Sequence, residues 1–313
     1  MSASPGRGIF YAFLCLIILG VMPILADSRP AGSDGLAFSI WLTFWQFIAS
    51  LPLFLIELVH RRAPKQATRS WRNRGTIAVA LLTGAIFGLS TYMYVVAARM
   101  AGPVSMVIAL QAYPLFAIVL EAVLLGKRKS TLELAFTALL LAALYYLTTE
   151  GSFRINDISW WTAYALGIPL LWAIAHILLR RVLAGTDVTP NQVTVSRLVI
   201  SGAFLLALNA LLGKSGTLAA GLLDPGFQRA AILLGVAYYL ELVIWFYAIR
   251  HIDVSVASSV TVPTPVITML IAIVILGGSV QTYQIAAMIV IVAALYGLLL
   301  AGRRTSNTAE PQV

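Results

Sequence analysis

The sequence predicts an all-α membrane protein, with ten transmembrane helices in two inverted five-helix repeats around a central cavity. Three observations carry that prediction. The 313 residues are 60% hydrophobic and 11% charged, whereas a soluble domain is about 25% charged. The apolar residues fall in runs long enough to cross hydrocarbon, and the second half of the chain repeats the pattern of the first.

A helix rises about 1.5 Å per residue, so crossing roughly 30 Å of lipid takes about 20 apolar residues. Runs of that order without a single Asp, Glu, Lys or Arg extend from Ile9 to Ala26, Leu36 to Ile56, Gly75 to Ala98, Val254 to Val280 and Tyr283 to Ala301. These give the first, second, third, ninth and tenth spans. The others are Gly102 to Leu125, Thr131 to Thr149, Ile158 to Leu179, Val193 to Leu212 and Ala230 to Ile249. Arg7 ahead of the first run resembles the start of a secretory signal. That run, however, exceeds the roughly 7 to 15 residues of a signal core and shows no small-x-small cleavage site, so it is expected to remain as a crossing.

Charge placement gives the orientation. With the N-terminus inside, the inner segments collect the basic cluster from Arg61 to Arg74, then Lys127 to Lys129, Arg180 with Arg181, and Arg303 with Arg304. The outer segments hold only the separate residues Arg29, Arg99, Arg154, Lys214 and Arg229. An inside excess of Lys and Arg predicts cytoplasmic termini in a bacterial inner membrane. The net charge of +9 is thereby explained by topology and anionic lipid, and no nucleic-acid partner is expected.

Shifting the chain by 151 residues superposes Arg99 on Arg250, Pro114 on Pro265, Gly126 on Gly277, and Ala142-Ala143-Leu144-Tyr145 on Ala293-Ala294-Leu295-Tyr296. Between positions 97 and 147, 13 of 51 ungapped pairs are identical. Biased apolar composition does not readily align Pro, Gly and Arg, so the match marks a repeat. Five spans per half is an odd number, so the second half enters from the opposite side. Inverted halves of this kind suit a carrier that opens a midplane site to each side in turn. The repeats are placed at 1–149 and 158–301, with 302–313 as a cytoplasmic tail.

The stretch Leu110-Gln111-Ala112-Tyr113-Pro114-Leu115 running to Leu125-Gly126, and its counterpart Val262-Pro263-Thr264-Pro265 running to Leu276-Gly277, resemble the drug/metabolite transporter superfamily, EamA type, over residues 9 to 301. Two positions depart from that pattern. Lys127 and Gly278 stand where the family often has an acidic residue, and Gln46 stands where Arg197 supplies the second-span arginine in the other half. The resemblance implies gradient-driven movement of amino acids, related metabolites or toxic organic compounds, most often outward.

Individual residues then become candidates. A proline inside a helix frees the carbonyl four residues earlier, and in lipid that carbonyl needs a partner from the protein. Pro114 and Pro265 are symmetry-related helix breaks, with Pro23 and Pro169 as further weak points. Glu241 lies near the centre of the eighth span, where a charge costs at least about 2.5 to 3.5 kcal/mol. Helical spacing sets Tyr238 and Trp245 on its face, a pattern suited to a substrate ammonium or an exchangeable proton. The repeat offset maps Trp245 onto Tyr94 and Glu241 onto Ser90. His176, one turn after Trp172, is the second proton-coupling candidate. Gln111, Tyr113 and Thr264 beside the helix breaks add polar groups. The expected substrate-binding set is Tyr94, Gln111, Tyr113, Trp172, Tyr238, Glu241, Trp245 and Thr264.

No catalytic residue, cofactor or metal is expected. The single Cys15 excludes an internal disulfide, His60, His176 and His251 are scattered, and no Walker A, HExxH or GxSxG pattern occurs. The partners expected are a small organic solute, protons as candidate coupling ion, and membrane lipid, for a monomer or homodimer. The leading reading is a secondary exporter of amino acids or amphipathic metabolites and drugs. An importer of a metabolite or cofactor with the same fold stays open, as does a non-transporting membrane subunit or intramembrane enzyme.

Overall fold

The computed structural model describes residues 5–60, 73–125, 130–185, 189–249, 251, 252, 257 and 260–309. The basic cluster from Arg61 to Arg72, Gly126 to Lys129, Arg250 and the last four residues lie outside the described residues. Among those described, the chain is helical and contains no strand.

The helices are α1 (Pro5–Asp27), α2 (Gly35–His60), α3 (Arg74–Met100), α4 (Pro103–Leu110), α5 (Tyr113–Leu125), α6 (Thr131–Thr148), α7 (Trp160–Gly185), α8 (Pro190–Leu211), α9 (Ser215–Leu223), α10 (Pro225–Ile249), α11 (Thr264–Val274) and α12 (Thr282–Ala309). Caps set several starts. Ser130 and Glu133 form a capping box on α6, and Thr189 and Gln192 do so on α8, where Pro190 occupies the first turn. Helix α12 continues past Ala301, so the first residues of the expected tail are helical.

Among the described residues, seven helices have the length and composition of a membrane crossing. They coincide with the first, second, third, fifth, sixth, seventh and eighth expected spans. Shorter apolar helices, Pro103–Ala117, Thr264–Val274 and Thr282–Leu298, fall in the fourth, ninth and tenth. The protein is a multi-pass membrane protein.

The fourth and ninth spans are not single helices. The first is broken by a turn at residues 111–112 and the other by a turn at 262–263, positions 151 residues apart. Pro114 and Pro265 therefore sit in the first turn of α5 and α11, and not inside a continuous helix as expected. An N–H is dispensable in a first turn, so the break moves to the N-terminal side of the proline.

The chain divides into two compact units. The first comprises Met1–Ile24, Ala97–Leu170 and Leu240–Val313. Within it α6 packs along α12, and α4 packs against α11, α12 and α6. The ring of Phe136 occupies the space that a side chain at Gly297 would need. Gln284 Nε2 donates to Ser105 Oγ at 2.8 Å, and Thr268 Oγ1 donates to the Gly20 carbonyl at 2.7 Å.

The second unit comprises Leu25–Val96 and Leu171–Tyr239. Here α2 packs along α8. Helix α3 meets α8 at Gly84 and Gly88, where an added Cβ would come within 2.5 Å of Ile200 and 3.0 Å of Phe204, the close approach expected of a small-xxx-small pair. The Ser201 hydroxyl donates to the Gly84 carbonyl across this contact at 2.7 Å. Ser39 and Thr43, both buried, donate to carbonyls one turn earlier on α2, which lets hydroxyls occupy an apolar interior. Arg29 is buried at 7% exposure and donates from Nη1 to the Val95 carbonyl at 2.6 Å.

Each unit thus draws on both halves of the sequence and pairs spans of equal rank. Second packs with second (α2, α8), fourth with fourth (α4, α11), and fifth with fifth (α6, α12).

Candidate functional site

The second unit gathers Tyr94 of α3, Trp172 of α7 and Tyr238 of α10. The Tyr94 ring is 2% exposed. It lies 6.4 Å from the Trp172 ring at 26° and 5.4 Å from the Tyr238 ring at 71°, separations typical of favourable aromatic pairs. Ser90, one turn before Tyr94, fixes the indole by accepting a hydrogen bond from Trp172 Nε1 at 3.1 Å while donating to the Phe87 carbonyl at 3.0 Å. With its own proton committed, Ser90 can only accept, and this orients the tryptophan edge. The result is three rings packed together in one place.

One turn of α7 beyond Trp172, the exposed His176 ring lies 5.4 Å from that of Phe87. The guanidinium of Arg197, on α8, lies over the same phenylalanine at 4.5 Å. A small cleft beside them is lined by Thr76, Ala80, Thr83, Leu179, Val193, Ser196 and Arg197. Thr83 and Ser196 give their protons to carbonyls of their own helices. Gln46, the residue matching Arg197 in the first half, is buried on α2.

In the first unit, Glu241 and Trp245 follow on α10. The Cys15 thiol of α1 donates to the Glu241 carbonyl at 3.5 Å, and Trp245 packs on Ala12, Ala248 and Ala257. Tyr11 of α1 stacks on His251 at 6.2 Å and contacts Tyr247 at 5.7 Å.

The helix breaks place the remaining candidates. Gln111 caps α4, its backbone N–H bonded to Ile108 O. Tyr113 opens α5 and Thr264 opens α11. Thr264 is 5% exposed and donates to the Thr261 carbonyl at 2.6 Å. That carbonyl is the one that Pro265, lacking an N–H, leaves without its usual helical donor. The Thr264 hydroxyl substitutes for the missing amide, which gives it a structural role whatever else it contacts.

Sequence reasoning did not foresee the Ser90–Trp172 hydrogen bond, the Arg197–Phe87 contact, or the ion pair of Lys214 Nζ with Asp34 Oδ2 at 2.8 Å. The repeat offset did single out Ser90, as the counterpart of Glu241. Among the described residues, no group of His, Cys, Asp and Glu side chains could hold a metal.

Comparison with known proteins agrees with this architecture. No curated protein matches the sequence. A solved structure described as "Crystal structure of protein" is similar in fold, with a TM-score of 0.63 at 17% identity, over 96% of this chain and 100% of the other. The model of the EamA-like transporter family matches residues 6–149 and again residues 159–300. The two matches together take in most of the sequence and reproduce its two halves, and the chain belongs to the EamA-like transporter family.

Proposed function

We propose that this transporter exports amino acids or small amphipathic metabolites and drugs across a bacterial inner membrane. It does so by alternating access over ten crossings in two inverted repeats, with both termini cytoplasmic. The observation that carries the substrate class is the ring cluster of Tyr94, Trp172 and Tyr238, fixed by Ser90. Aromatic faces suit an ammonium or an apolar body, each such cation contact contributing about 0.5 to 2 kcal/mol depending on desolvation.

Glu241, one turn beyond Tyr238 on α10, is the group proposed to carry the coupling proton, since a carboxyl at the depth of an eighth span is costly to keep without a task. Pro23 and Pro169 lie within α1 and α7, one residue before each helix passes from one compact unit to the other. A missing helical hydrogen bond at those points makes them the proposed hinges.

Liposomes containing the purified protein and a panel of labelled amino acids and amphipathic amines test the reading. A pH gradient should drive uphill movement of a substrate, and Glu241→Gln should abolish the uphill component while leaving exchange. Absence of movement across the panel would remove the substrate claim. Uphill movement unchanged in Glu241→Gln would remove the proton role alone. The direction of net flux in inside-out vesicles separates export from import.

A further inference from the structure

Between α8 and α10 the chain forms α9, a helix of 9 residues that no apolar run announces. Its length is about 13 Å at 1.5 Å per residue, less than half of the roughly 30 Å hydrocarbon core, so it cannot cross. It contains no charged residue, while Lys214 precedes it and Asp224 follows.

The faces of α9 are unlike. One is tied to α2, whose Trp41 Nε1 donates to the Leu218 carbonyl at 3.3 Å. Trp45 Nε1 donates to Gln228 Oε1 at 2.8 Å, and Gln228 Nε2 in turn donates to the Gly221 carbonyl at 3.0 Å. Gly221 is buried here, and the Phe227 ring lies 2.9 Å from where its Cβ would stand. The other face presents Gly216, Ala219, Ala220, Leu222 and Leu223, all exposed, with Leu223 at 80%. No side chain on that face can hydrogen-bond to water. Just before it in the chain, Leu211 and Leu212 at the end of α8 are 85% and 56% exposed. At the two ends the charged residues are held in place. Lys214 is paired with Asp34 at 2.8 Å, and Asp224 Oδ1 accepts from the Gly226 and Phe227 amides.

We propose that α9 is an interfacial helix. It lies in the headgroup plane on the membrane face where α2 begins, with Leu222 and Leu223 in the acyl chains and Lys214 and Asp224 in water. Its partner is the phospholipid bilayer. The apolar face follows directly in the chain on the exposed apolar end of a membrane span, which argues for this occupant, and the charged ends confine the helix to the boundary. Because α9 is lashed to α2, displacing α2 along the membrane normal would pull the leucines out of hydrocarbon or drag the charges into it. The helix therefore sets the depth of α2.

Spin labels in the full-length protein in liposomes test this. Leu222→Cys and Leu223→Cys are labelled alongside Leu206→Cys on the exposed side of α8 and Arg154→Cys in the exposed loop before α7, and collision with oxygen is compared with collision with a water-soluble nickel chelate. Ala219→Cys on the same face gives the same reading through a smaller change if a leucine variant does not fold. Labels on α9 should favour oxygen as Leu206→Cys does, with Arg154→Cys favouring nickel. A nickel preference on α9 would place it in water, and shielding from both reagents would mean that protein covers it. Either outcome overturns the proposal.

Discussion

Replacing Thr264 with valine keeps the shape of the side chain and removes the hydroxyl that donates to the Thr261 carbonyl at 2.6 Å. That carbonyl faces Pro265, which has no amide hydrogen to offer. At a site where Thr264 is 5% exposed, loss of that hydrogen bond costs about 0.5 to 1.5 kcal/mol. The melting temperature of the purified protein should therefore fall by several degrees in Thr264→Val, and Thr264→Ser should stay near wild type. The decisive variant is Pro265→Ala, which restores an N–H four residues after Thr261. In that background Thr264→Val should cost little, so the double variant should be more stable than the sum of the singles. Equal cost of Thr264→Val with and without the proline would refute the substitution of hydroxyl for amide.

The Asp34–Lys214 pair predicts a pH and salt dependence. Burial raises the Asp34 carboxyl pKa, but the Lys214 hydrogen bond, the Ala37 and Leu36 amides and the Lys214 charge outweigh it and hold the group below the ordinary carboxylate range. Its contribution is therefore present above the unfolded value near ~3.9 and lost as pH falls through the lower folded value. The hydrogen bond to Asp34 raises Lys214 despite some desolvation, so its share is present below about 10.4 and lost as pH rises through the folded value. With the Lys214 side chain 41% exposed, Asp34→Asn, which keeps the cap, should cost only about 0.2 to 1 kcal/mol at neutral pH, and a cost that persists in high salt would rule out the ionic account. Trp172→Phe keeps a ring beside Tyr94 and loses the bond to Ser90, about 0.5 to 1.5 kcal/mol of stability; if Ser90→Ala leaves that cost intact, the bond is not its source. Pro23→Ala and Pro169→Ala restore helical hydrogen bonds, so each should raise the melting temperature and slow transport, and unchanged rates would rule out hinges there.

The long helices were legible because lipid imposes a simple rule on sequence. The apolar runs beginning at Ile9, Leu36 and Gly75 became α1, α2 and α3 nearly as read. The fourth span was legible in extent but not in form. Pro114 marks the break, yet steric tolerance of proline in a first turn sets the break at residues 111–112. Helix α9 escaped notice because 9 residues of Ser, Thr, Gly, Ala and Leu show no polar and apolar alternation at helical spacing and fall short of a crossing. Helical spacing and the repeat offset singled out Tyr94, Trp172 and Tyr238, whose rings lie together in the fold. They did not reveal that Ser90 would hold the indole, since spacing along one helix says nothing of which side chain a neighbouring helix presents.

The two compact units show how the repeat is distributed in the fold. Had each sequence half folded on itself, each unit would hold the spans of one half alone. Each unit is built instead from matching segments of both halves, such as α2 with α8 in one and α6 with α12 in the other. Four helices, α1, α3, α7 and α10, run from one unit into the other. Those four helices are the covalent connections between the units. Two of the four contain a proline next to the passage, in the first span of each half, so weakening occurs at symmetry-equivalent helices.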